Sequence, residues 1–144
     1  MLYYLFALAF LVASAFAQRC QITAPAEWST VKAGSNITVE LDRPMTLSSS
    51  QEVAIAIGFW PCNGPCNRTD VTQVLGTLAY RGAYDPQLNT TMNWKPPYEN
   101  FTVTVPAHSV PGTEVSLNVA HFSLIGAGLM PFLETLNITL KIGS

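Results

Sequence analysis

Three stretches restrict the fold of this chain more than anything else in it. In "NITVEL" (36–41), "NFTVTV" (100–105) and "LNITLKI" (136–142), apolar and polar residues alternate strictly. Ile37, Val39 and Leu41 oppose Asn36, Thr38 and Glu40. Phe101, Val103 and Val105 oppose Asn100, Thr102 and Thr104. Leu136, Ile138, Leu140 and Ile142 oppose Asn137, Thr139 and Lys141. Period two is the signature of a strand with one face in a core. In each stretch the polar face also carries the asparagine of an N-x-[ST] sequon, which a glycan can use only from the solvent side.

The rest of the chain continues the pattern. "QEVAIAIGF" places Val53, Ile55, Ile57 and Phe59 on one face and Ala54 and Ala56 on the other, so it can be covered on both sides. "VLGTLAYRG" and "TEVSLNVAHFSLIG" add further alternation, the latter through Val115, Leu117 and Val119. Prolines fall between or at the margins of these runs, as strand chemistry demands. No window of a dozen residues sustains a helical period. Seven to eight short strands predict an all-β fold, an antiparallel immunoglobulin-like β-sandwich, with a closed barrel as the alternative.

The N-terminal "MLYYLFALAFLVASAFA" is apolar and ends in the small-x-small pattern Ala15-Phe16-Ala17. It predicts a signal peptide over 1–17, cleaved before Gln18, and a single domain over 18–144. The apolar run is shorter than the roughly 20 residues a membrane-spanning helix needs, and no basic flank follows it. A secreted protein without membrane insertion is therefore expected. Seven basic and nine acidic residues give a net charge of −2, which offers no basic field for nucleic acid. Five sequons, at Asn36, Asn67, Asn89, Asn100 and Asn137, lead us to expect a glycoprotein.

Three cysteines, in an oxidising compartment, allow one internal bridge. Chain entropy favours Cys20–Cys62, which would contribute about 4 kcal/mol against about 2 for Cys62–Cys66. Strand geometry favours the local pair. Cys20 opens one outward strand and Cys62 follows the end of another, so the two should lie at opposite ends of the domain. Asn63-Gly64-Pro65 can fold Cys62 back onto Cys66. We expect Cys62–Cys66, with Cys20 unpaired, accessible near the mature terminus and available for an interchain disulfide in a homodimer. A buried free thiol is the alternative.

Catalytic signatures are missing. No G-x-S-x-G elbow or zinc-type ligand spacing occurs, and "GAG" at 126–128 reads as a turn. His121 follows Val119 in the alternation and is expected to be a partly buried structural residue. Glu40 and Glu52 are expected on solvent faces. No enzyme activity and no cofactor are predicted. The stretch most suggestive of binding is "NTTMNWKPPYENFT", whose prolines hold it out of regular structure while Trp94 and Tyr98 bring flat side chains to a loop. Such aromatics stack on sugars or anchor protein partners, and they can equally cover an open sandwich edge.

The phrases "QITAPAEWSTVKAGSNITVEL", "EVAIAIGFWPC", "ENFTVTVP" and "VAHFSLIGAGLMPFLETLNITLKI" resemble the group of small secreted basidiomycete proteins in which the Poria-type fungal immunomodulatory protein is placed. That resemblance implies a secreted glycoprotein that activates mammalian immune cells through a surface receptor, and it brings no catalytic residues. The opening "ITAPAEWSTVKAGSNITV" is also similar to the N-terminal sandwich of Kre-type fungal wall proteins, which implies a structural or carbohydrate-binding role in the wall.

Overall fold

The computed structural model describes residues 19–46 and 48–144; the expected signal peptide lies outside them. The described residues form eight strands: β1 (Gln21–Ala24), β2 (Thr30–Lys32), β3 (Asn36–Asp42), β4 (Ser50–Pro61), β5 (Thr77–Gly82), β6 (Tyr98–Thr104), β7 (Glu114–Ile125) and β8 (Met130–Gly143). A single 3-10 turn, Cys66–Arg68, follows β4. No helix among the described residues is long and apolar enough to cross a membrane.

The strands form two sheets, ordered β1-β3-β6 and β2-β8-β7-β4-β5. The pairings are antiparallel except β2 against β8, where Thr30 lies opposite Lys141. The opening strand thus divides at Pro25: β1 joins the small sheet and β2 the large one. The alternating residues meet between the sheets. Val39, Leu41, Val103 and Val105 of the small sheet and its flank pack in one core with Ile57, Phe59, Leu117 and Leu140 of the large one. Phe59, Ile57, Leu117 and Leu140 are fully buried, and a side chain of that size contributes about 1.5–3 kcal/mol by leaving water.

Two departures from simple alternation shape the large sheet. Between Glu52 and Ala54 the register of β4 on β7 shifts, so that Glu52 faces Ser123 and Ala54 faces Phe122. Val53 is the extra residue of this bulge and is 40 % exposed, not in the core where period two alone places it. A bulge reverses the phase of everything before it, and Glu52 turns inward. The second departure is the segment 69–76, which crosses the outer face of β4 and β7. Asn118 Nδ2 donates to the Val74 carbonyl at 3.0 Å, and a side chain at Gly58 would collide with the Leu75 carbonyl. This covering explains why Ser116 and Asn118 are buried although they point away from the core.

Candidate functional site

The inward-turned Glu52 is part of a polar cluster that closes one end of the core between the two sheets. His121 shares its face of β7 with Val115, Leu117 and Val119, and Glu134 shares its face of β8 with Leu136, Ile138 and Leu140. The β7–β8 register sets His121 directly opposite Glu134. Their side chains meet at 2.8 Å between His121 Nδ1 and Glu134 Oε1, and Glu52 Oε2 lies 2.5 Å from Nε2. Cys20, on the lead-in to β1, places its Sγ 3.4 Å from His121 Nδ1 while its backbone N–H donates to Glu134 Oε1 at 3.0 Å. The Tyr84 ring stands edge-on to the imidazole. Arg43 caps the outer side, 2.9 Å from Glu52, and Ser50 donates to the same carboxylate.

Burial alone pushes the His121 imidazole down, but hydrogen bonds with Cys20, Glu134 and Glu52 overcome it and raise it to about 11. Burial pushes the Glu52 carboxyl up; the hydrogen bonds from His121 and Ser50, with the charges of His121 and Arg43, outweigh this and hold it below the usual carboxylate range. Burial raises the Cys20 thiol above its ordinary value, against the lowering influence of His121. Glu134 Oε2 is buried and has no hydrogen-bond partner among the described residues. A narrow cleft of about 10 Å³, lined by Cys20, Arg43, Ser50, Glu52, His121 and Ser123, reaches this cluster.

Two expectations about these residues are corrected. Cys20 is 3 % exposed and not accessible, because it packs against His121 of β7 and Glu134 of β8. Glu52 is not a solvated charge, because the bulge at Val53 turns it in. Cys62 and Cys66 are bridged, with Cα atoms 5.0 Å apart, at the β7 end remote from Cys20, where Cys62 N–H bonds the Glu114 carbonyl.

The aromatic stretch forms a second surface. Trp94 is 77 % exposed on a turn closed by Lys95 N–H to the Met92 carbonyl at 3.0 Å. Lys95 Nζ lies 2.7 Å from Glu40 and 3.9 Å from the centroid of Tyr98, so the turn is tied to β3 and β6. Tyr98 is not a loop residue: it opens β6, half-buried beneath Lys95. Asn36, Asn67, Asn100 and Asn137 are exposed, whereas Asn89 is half-buried and its Nδ2, the atom a glycan would take, donates to the Tyr98 hydroxyl at 3.3 Å.

Residues 15–141 match the model of the Nis1 family. Among curated proteins, the chain is 34 % identical over 117 residues to Necrosis-inducing secreted protein 1 of Colletotrichum orbiculare. The match covers 80 % of this chain and 65 % of that one, so the chain spans a little under two thirds of the relative's length. Among solved structures, the superoxide reductase (neelaredoxin) of Ignicoccus hospitalis aligns at a TM-score of 0.48 and 14 % identity, over 90 % of this chain and 86 % of that one. Two variants of that reductase align at 0.48 and 0.47. No chemistry transfers from structures this distant.

Proposed function

The chain belongs to the Nis1 family and is a secreted, extracellular protein; from that premise we propose that it acts without catalysis, by binding a component of a host cell surface. The observation that carries this reading is Trp94. A large apolar ring with three-quarters of its surface in water, on a turn tied down by Lys95, Glu40 and Tyr98, is an anchor already ordered before any partner arrives. Lys95 covers the Tyr98 ring, so within this stretch Trp94 alone offers a free aromatic platform, where polysaccharide stacking commonly uses several. This favours a protein partner over the fungal-wall, carbohydrate-binding alternative. We also read the division of the first strand between two sheets as immunoglobulin-like, an architecture suited to presenting loops at its edges.

The relative is named for inducing necrosis, and necrosis is the outcome we propose for binding by this chain. Activation of mammalian immune cells is the second reading, supported by the resemblance of the strand phrases to the basidiomycete immunomodulatory group. Wild-type protein and Trp94→Ala, applied at equal concentration to plant leaf tissue and to mammalian macrophages, separate the two. Necrosis in leaf alone, with at least a tenfold loss of potency in Trp94→Ala, is the expected result. Cytokine release from macrophages without leaf necrosis would favour the second reading. Equal potency of the variant in whichever tissue responds would remove Trp94 from the binding surface.

A further inference from the structure

We propose that Cys20, His121 and Glu134 form a buried site for one thiophilic divalent transition-metal cation of the zinc type. The three donor atoms lie within 4.8 Å of one another, and all three residues are buried. Zinc bonds sulfur at about 2.3 Å and nitrogen or oxygen at about 2.0–2.1 Å, so donors around one ion stand roughly 3–3.5 Å apart. The observed 3.4 Å from Cys20 Sγ to His121 Nδ1 is at that spacing, and the 2.8 Å from Nδ1 to Glu134 Oε1 needs a widening of a few tenths of an ångström.

Two further observations point to a ligand. The first is the orphaned Glu134 Oε2. A carboxylate oxygen buried without a donor is costly, and a cation held by Glu134 would satisfy it. The second is Glu52. A metal-bound imidazole characteristically gives its other N–H to a carboxylate, which fixes ring orientation and tautomer. Glu52 Oε2 at Nε2 occupies that position and leaves Nδ1 facing the thiol and Glu134. The cleft beside Cys20 and His121 supplies an entry path for a single ion.

Such a site would fasten the segment ahead of β1 to β7 and β8. It is independent of the Trp94 surface, and its test reads metal, not necrosis. Cobalt(II) titrated into chelator-stripped, secreted mature protein should give a thiolate-to-cobalt charge-transfer band saturating at one equivalent and abolished by zinc. Cys20→Ser should lose the band and weaken zinc binding at least about 100-fold, while His108→Ala retains both. Glu52→Gln, which keeps all three ligands, should weaken zinc by about 10–100-fold with the band preserved. Folded wild-type protein, verified by circular dichroism, that shows no band would overturn the proposal. So would an undiminished zinc affinity in Cys20→Ser.

Discussion

Two carboxylate–cation contacts in this chain have nearly the same length and unlike surroundings. Glu134 meets His121 at 2.8 Å with both side chains almost wholly buried, and Glu40 meets Lys95 at 2.7 Å at the surface. In water the attraction between such charges is weak and salt-screened; withdrawn from water it is strong, but each partner then depends on the other. The buried contact therefore commits that end of the two-sheet core to one arrangement. The surface contact positions a turn and can be lost without loss of the fold. Distance alone does not separate them; the neighbours do.

The hardest test of this contrast is His121→Ala, which leaves the buried Glu134 without its cation while Arg43 still pairs with Glu52. We expect a loss of about 3–5 kcal/mol, read by urea denaturation. A loss below about 1 kcal/mol would mean that the cluster is hydrated and does not brace the fold. The opposite end supplies a covalent reference: Cys62→Ser with Cys66→Ser should cost about 2 kcal/mol, because the bridge closes only a short loop. Should the disulfide variant be the less stable of the two, the ranking of the ends is reversed.

Smaller effects belong to the surface pair. Lys95→Ala should lower Tm by no more than about 3 °C. Burial raises the Glu40 carboxyl, yet hydrogen bonds from Lys95 and Thr23 and the Lys95 charge outweigh it and lower it from the usual 4.5. Its contribution is thus complete above about pH 4.5 and disappears as pH falls through the lower, folded value. Stability profiles of wild type and Lys95→Met should converge on that acid limb and differ above it; a constant gap across the range would contradict the pairing. Smallest of all, Trp94→Ala should change stability by no more than about 0.5 kcal/mol, which lets its effect on tissue be read as binding.

The two regions are not equally legible in the sequence. Strands β3, β6 and the second half of β8 follow directly from alternation, because each has one face in the core and one in solvent. His121 and Glu134 carry a signal as well: each is a polar residue in phase with a run of buried aliphatics. That phase anticipates a buried His121, and the same test applied to Glu134 finds its partner. Glu52 is hidden, since period two cannot reveal the extra residue at Val53 that turns it inward. Nearness to the mature terminus misleads about Cys20, whose burial is decided by contacts with β7 and β8, a hundred residues on. The prolines before Tyr98 suggest a loop, although that residue already pairs in β6.

The parallel pairing of β2 with β8 bears on timing. Thr30 and Lys141 stand more than a hundred residues apart, and a contact so distant in sequence is slow to form. While the ribosome is still at work, the large sheet has an open margin along β7, where β8 has yet to arrive. Closure of the large sheet therefore waits for β8, the last of its strands to be synthesised.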